Sequence, residues 1–476
     1  MNNLLKKNIL NLFILIFIIS LGHLSYVHNA LKVTSDEWFE VHQIDSEQLV
    51  LDGFLNLLKN KNSSGLGAYL RNTSDEKDYL NARDYYQSES ISNNFKTYNS
   101  NFGLQIYFLK FLKLIGFDKL YYYHSITALL MSAVVALLFF GIKKNFSFIS
   151  AIVVALIFLL SPWIVVSARN LYLLIFIYFL PVALSMYFSN KIFMNNKQFY
   201  VFLILLFFAV LFKLLCGYEF INVIFFSTCA PLLFYSYNQN YNKQIILKKF
   251  IAVIIIFVLA FLIAATIHTM SIKNKSEKFY EPIIKIASKR LWTNKKNVNE
   301  VLTNAEREYC DNNKKCEETI YKSLTSNSAI VISKYFLMVD FLPWFYLNVS
   351  KDDRRLIIDN FKFLNDNFSF ENIKLSYKNL SLIKSQSILL LFMIYFFSLI
   401  TFLSFQVYSL YIFIIAKKSI KYFLALSFLG PISWYFIFKG HSAIHYHLNF
   451  ILWYLFFIPA SFIAIINNLE LRRSKK

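Results

Sequence analysis

Charge is scarce in this sequence. Asp, Glu, Lys and Arg make up 16% of its 476 residues, against about a quarter in soluble domains, and that shortfall excludes an ordinary water-soluble globular protein. Carboxylates are scarcer than cations, 28 Asp and Glu against 49 Lys and Arg. The 10 glycines and 7 prolines form no Gly- or Pro-rich linker, and no internal repeat is evident. What fills the chain is apolar: 57% of residues are hydrophobic and 19% aromatic, with 52 Phe and a mean hydropathy of +0.46. This composition predicts an integral, multi-pass membrane protein whose first partner is the lipid bilayer.

A net charge of +21 raises the possibility of nucleic acid. The cations, however, fall in short clusters between apolar runs and do not line one amphipathic face. That is the orienting pattern of membrane proteins, and no nucleic-acid partner is expected.

A hydrocarbon core of about 30 Å needs about 20 apolar residues per helix. Runs of that kind lie at approximately 8–24, 121–142, 147–165, 171–189, 199–216, 220–236, 250–269, 386–416, 421–438 and 447–467. The fold class that follows is all-α, a polytopic membrane helical bundle of about ten transmembrane helices. The basic clusters Lys6-Lys7, Lys143-Lys144, Lys191 with Lys197, Lys248-Lys249, Lys417-Lys418 and Arg472-Arg473 then fall on one side. The positive-inside rule makes that side cytoplasmic, with both termini inside. An uncleaved first span is preferred to a signal peptide, because His28 stands where a small residue would precede Ala30 at a cleavage site.

Three regions result: an N-terminal transmembrane module over 1–269, whose first outer loop covers about 25–120; a second outer loop over 270–385; and C-terminal transmembrane helices over 386–476. Both large extracytoplasmic loops are expected to carry interfacial helices. The apolar stretch Ala329 to Leu347 is read as interfacial or re-entrant, since a span there would put Arg472-Arg473 outside. Cys216 and Cys229 read as small buried residues. Cys310 and Cys316 flank a short polar loop on the oxidising face, and a disulfide is expected between them.

Candidate site residues gather on the outer side. His42-Gln43-Ile44-Asp45-Ser46-Glu47-Gln48 follows the first span. Asp45 reads either as a helix N-cap completed by Gln48 or as a carboxylate kept ionised at a helix start and able to take a proton from an attacking hydroxyl. Asp36-Glu37 is a second acidic pair that competes with Asp45 and Glu47 for the catalytic role. Arg169 and Asn170 lie in a short turn, where the guanidinium either snorkels to headgroups or clamps a phosphate. Lys213 and Glu219 are an ion pair at the membrane edge or part of a site. In Lys439-Gly440-His441-Ser442-Ala443-Ile444-His445-Tyr446-His447, His441 and His445 share a helical face but His447 does not. Zinc geometry is therefore poor, and a polar patch for phosphate or sugar is preferred. No metal ligand set is assigned and no cofactor is required, although a divalent metal remains an unsupported option.

These features resemble the GT-C superfamily of integral-membrane glycosyltransferases, which includes protein mannosyltransferases and lipid A aminoarabinose transferases. The residues that carry the likeness are the acid-led Asp45-Ser46-Glu47-Gln48 segment in a large first outer loop and the pattern His42-x-x-Asp45-x-Glu47-Gln48, similar to a His-Pro-Asp-Glu-x-x-Gln style. The resemblance implies a polyprenyl-phosphate sugar donor, a glycan, lipid or protein acceptor, and transfer on the external face of a bacterial inner membrane. Many members carry an acid in the next outer loop; here Ala168-Arg169-Asn170-Leu171-Tyr172 has none, which weakens both metal dependence and a two-acid scheme. Two other readings stay open. One is an O-antigen-type polysaccharide polymerase, with Arg290, Arg307, Arg354 and Arg355 in the second loop. The other is a lipid-linked glycan flippase or transporter, which would carry charge near the middle of its spans.

Overall fold

The computed structural model describes residues 3–59, 65–69, 95–272, 371, 404–438, 442 and 448–473. It is mostly helical. The first helix, α1 (Asn3–His28), leaves Ile9, Leu12, Phe13, Ile16 and Phe17 exposed along its length, a surface suited to lipid. A short α2 (Asp36–Val41) follows, capped by Ser35, whose hydroxyl accepts the Trp38 N–H at 3.2 Å.

Next comes the amphipathic α3 (Ile44–Lys59), which buries Val50, Leu51 and Phe54. Its entry differs from the sequence reading. The Gln43 carbonyl accepts the Glu47 N–H at 3.0 Å, with Gln43 at φ +54°, so Asp45 lies inside the first turn and is not the N-cap. Gln48 closes no capping box; its amide donates to Asp52 at 3.1 Å.

The all-α expectation needs one amendment. Strands β1 (Leu66–Tyr69) and β2 (Phe95–Tyr98) form an antiparallel ribbon with Leu66 opposite Tyr98 and Tyr69 opposite Phe95. The buried Asp52 carboxylate ties it to α3 by accepting the Tyr69 N–H at 3.2 Å. Helix α4 (Leu104–Leu114) starts at Gly103, whose φ of +79° favours glycine. Together α3, the ribbon, α4, Leu120, Tyr123 and Leu171 enclose a small apolar core.

The larger core belongs to the helical bundle. Its elements are α5 (Leu120–Asn145), α6 (Phe148–Leu160), α7 (Pro162–Ser167), α8 (Phe176–Ile192), α9 (Asn196–Cys216), α10 (Ile221–Asn238), α11 (Lys243–Ile272), α12 (Ser404–Ile415), α13 (Lys418–Ile437), α14 (Phe450–Tyr454) and α15 (Phe457–Arg473). Helix α5 packs on α1, α6 and α8; α8 on α9 and α10; α10 on α13; and α15 on α6 and α13. Small residues permit the closest approaches. A Cβ at Gly141 would lie 2.9 Å from the backbone of Met186 and Tyr187, and one at Gly22 would lie 2.6 Å from Ser132 Oγ.

Among the described residues, six helical stretches are long and apolar enough to cross a membrane: Leu5–His28, Leu120–Asn145, Asn196–Cys216, Lys243–Ile272, Lys418–Ile437 and Phe450–Arg473. They correspond to six of the ten expected runs. The expected span 147–165 is two helices, because Ser161 is extended (φ −75°, ψ 118°) and Pro162 restarts the chain as the first residue of α7. The expected 171–189 is helical only from Phe176, and α8 has 17 residues. Helix α10 has 18 residues diluted by Asn222, Ser227, Thr228 and Ser236. Of 386–416, only its last part, in α12, is described.

Candidate functional site

A cavity of about 340 Å³ opens where the end of α1, α2, the start of α5 and the segment after α7 converge. It is lined by Val27, His28, Lys32, Asp36, Phe39, Glu40, Tyr121, His124 and Arg169. Two carboxylate–cation pairs and one carboxylate–imidazole pair border it. Lys32 Nζ contacts Asp36 Oδ2 at 2.6 Å, Arg169 Nη2 contacts Glu40 Oε2 at 2.9 Å, and His124 Nε2 contacts Glu47 Oε1 at 2.8 Å.

The pairs differ in burial, and therefore in chemistry. Asp36 and Lys32 are both about two-thirds exposed. The Lys32 ammonium, and after it the Asn29 amide at 3.1 Å, hold the Asp36 carboxyl below its ordinary range, so it is ionised at neutral pH. Arg169 is buried. It donates to the carbonyls of Phe39 at 3.1 Å and Val27 at 3.4 Å, and its guanidinium lies 4.0 Å from the Phe39 ring centre. Glu47 is fully buried; its Oε1 also accepts the Leu171 N–H at 3.2 Å. A carboxylate removed from water has to be paired in this way.

The structure brings Asp36, Arg169 and, through His124, Glu47 to one place. Asp45 is exposed and is not among the lining residues; Ser46 Oγ donates to it at 3.5 Å. Glu37 lies in α2 beside Asp36 in sequence. His42 is buried, with Nε2 3.2 Å from Ser167 Oγ and its ring between Trp38 and Trp163 at centroid distances of 5.3 and 6.3 Å. It packs α2 against α7 and does not line the cavity. Asn170 shapes its own turn: Oδ1 accepts the Tyr172 and Leu173 N–H groups at 3.0 and 2.9 Å, and Nδ2 donates to the Gln43 carbonyl at 3.3 Å.

Lys213 and Glu219 sit elsewhere, where α9 turns into α10. The fully buried Lys213 donates to the Gly217 carbonyl at 2.5 Å and lies 4.2 Å from the Tyr178 ring centre. The Glu219 carboxylate lies against Gly217. Both are thus separate from the cavity lining. Lys439, His441, His445 and His447, and the expected disulfide Cys310–Cys316, fall outside the described residues. Cys216 and Cys229 are buried free thiols.

Sequence reasoning missed Lys32, Glu40 and His124. Lys32, Asp36 and Glu40 are spaced by four, a signal that would place Asp36 and Glu40 on one helical face. His124 lies one turn inside a span, and nothing local marks it as the partner of an acid 77 residues away. No protein-family model, curated protein or solved structure matches this chain.

Proposed function

We propose that this protein is an integral-membrane glycosyltransferase of GT-C type, which moves a sugar from a polyprenyl-phosphate donor to a glycan, lipid or protein acceptor on the outer face of a bacterial inner membrane. The observation that carries this reading is an ionised aspartate, Asp36, in a cavity that also holds Lys32, His28 and an apolar floor of Val27 and Phe39. Asp36 takes the proton of the acceptor hydroxyl, and that oxygen attacks the anomeric carbon of the donor. The bond from the anomeric carbon to phosphate oxygen breaks, and the polyprenyl phosphate leaves with the electron pair. Lys32, drawn off Asp36, meets the charge on the leaving phosphate. The base is thereby assigned to Asp36 in preference to Asp45, whose carboxylate is outside the lining.

Ten spans with both termini in the cytoplasm are the topology this reading uses. The basic residues at the end of α5, at the junction of α8 and α9, and at the starts of α11 and α13 support it, because ten spans would put all of them on one side, as the positive-inside rule asks. Among the described residues, every Asp, Glu, Lys and Arg within the six long apolar stretches lies within about two turns of a helix end. A transporter would carry such groups near the midplane, so the distribution favours surface chemistry.

The test is turnover of a radiolabelled polyprenyl-phosphate sugar by the purified full chain. Release of polyprenyl phosphate that is lost in Asp36→Asn supports the proposal; no turnover of any such donor overturns it.

A further inference from the structure

We propose that the last turn of α4 and the link to α5 form a docking surface for anionic lipid. Phe111, Leu114, Ile115 and Phe117 enter the acyl region, and Lys110, Lys113 and Lys119 meet the headgroup phosphates. This goes beyond the transferase reading and does not depend on it.

Helix α4 is apolar on two opposite sides, and the small core covers one of them. Ile106, Leu109 and Leu112 are buried in that core beside α3 and the ribbon. At about 3.6 residues per turn, Phe111 and Leu114 lie on the roughly opposite face, where they are 56% and 77% exposed. Ile115 and Phe117 continue the patch past the helix end, at 53% and 39% exposure. Single exposed apolar side chains are ordinary on a protein surface, whereas a contiguous patch marks an interaction site. Hydrogen bonds fix the turn that carries it. The Gly116 N–H donates to the Lys113 carbonyl at 3.1 Å, and the Phe117 N–H to the Leu112 carbonyl at 2.9 Å. This double closure is a Schellman motif, with Gly116 at φ +96° as its left-handed residue.

Two observations name a lipid surface as the occupant. The first is continuity with α5, one of the helical stretches long and apolar enough to cross a membrane. The ring centres of Phe117 and Tyr122 are 5.7 Å apart, and those of Tyr122 and Tyr121 are 6.0 Å apart. The patch therefore runs into the first turn of α5, where tyrosines are the residues expected at a membrane–water boundary. The second is charge. From Leu104 to Tyr122 the charged residues are Lys110, Lys113 and Lys119 against Asp118, and all three lysines are exposed. Lysines beside an inserted apolar face attract anionic headgroups. Tyr121 also lines the cavity, so docking here holds that side of the cavity at headgroup level.

The experiment replaces Leu114 and, separately, Phe111 by p-benzoylphenylalanine in the full chain, held in nanodiscs of equal parts phosphatidylcholine and phosphatidylglycerol. Irradiation followed by mass spectrometry identifies what each position touches. Both side chains are exposed, so the core is left intact by the replacement. The expected products are adducts on lipid acyl chains, with phosphatidylglycerol favoured over phosphatidylcholine by about two- to fivefold. Lys110→Gln, Lys113→Gln and Lys119→Gln together should remove that preference and leave the lipid adducts in place. Adducts to protein alone overturn the proposal and give the face to a second copy or to another part of this chain. The absence of any adduct overturns it too, since the face then meets water. Lipid adducts that show no preference with all three lysines present overturn the assignment to anionic lipid.

Discussion

Glu40 Oε2 meets Arg169 Nη2 at 2.9 Å, joining α2 to the segment that follows α7. This contact, with the carbonyls of Val27 and Phe39 and the Phe39 ring, occupies a guanidinium that the sequence suggests as a phosphate clamp. Arg169 is better understood as a strut that holds the wall of the cavity. Arg169→Ala should destabilise the fold by about 1–3 kcal/mol, the scale of hydrogen bonds to a charged group left unmade. Glu40→Gln should cost less, because Glu40 is more than half exposed. Thermal unfolding of both variants in one detergent checks the order; equal and negligible effects would restore Arg169 as a free ligand for substrate.

Asp36→Asn and Asp45→Asn are a matched pair. The first should lower the transfer rate by roughly 10²–10⁴, the usual scale for removing a general base. The second removes an exposed charge in the first turn of α3 and should leave the rate near wild type. If Asp45→Asn is the variant that loses activity, the base has been assigned to the wrong helix.

Lys32 depresses the Asp36 carboxyl, chiefly by its hydrogen bond. A lowered folded-state value means that the pair's stabilisation is present above the unfolded carboxyl value and is lost as pH falls through the folded one. The same sign governs activity: the acid limb of the rate profile should lie below the ordinary aspartate range. Lys32→Ala should move that limb upward, toward the unperturbed aspartate value. A pH–rate profile of the two proteins measures the shift, and a limb that stays fixed would show that Asp36 does not control it.

Gly141 allows the backbones of α5 and α8 to meet at Met186 and Tyr187. Gly141→Val places atoms where backbone already stands, so the helices must part. A loss of about 1–3 kcal/mol is expected, the range for overpacking. Thermal unfolding reads it, with Gly116→Ala as a comparison in open space whose cost comes from its φ of +96° alone.

Reporter fusions after Lys144, Lys249 and Lys418 should signal cytoplasm, and one at Thr97 should signal the outside. An outward signal at Lys144 would reverse the side on which the cavity opens.

The apolar runs of α1, α5, α9, α11, α13 and the α14–α15 stretch were legible because a bilayer imposes a length and a composition that single residues cannot hide. The break at Ser161-Pro162 was less legible: its signal is one proline in a run otherwise of spanning length. The ribbon was hidden because its two strands have only four residues each and are separated by 25 residues. In the site, residue type and position near the membrane single out Asp36 and Arg169. Asp45 and Glu47 looked equivalent in sequence, yet two positions on a helix are about 200° apart. One carboxylate therefore points to solvent and the other into the protein. Glu47 finding His124 is a tertiary event, and local pattern contains no trace of it.

The small core around α3 and the ribbon meets the bundle through apolar contacts such as Phe54 against Tyr123 and also through a set of polar ones: Glu47 with His124 and Leu171, Asn170 with Gln43, Gln105 with Tyr172 and Cys216, and Asn101 with Cys216. The hydrogen bonds of this seam have to break together for α3 and the ribbon to lift off, so that part is expected to open as a unit of its own. Amides of α3 and the ribbon should exchange with deuterium through an opening that leaves α5 and α8 protected, and where they do, one unfolding free energy describes the bundle and another the smaller core.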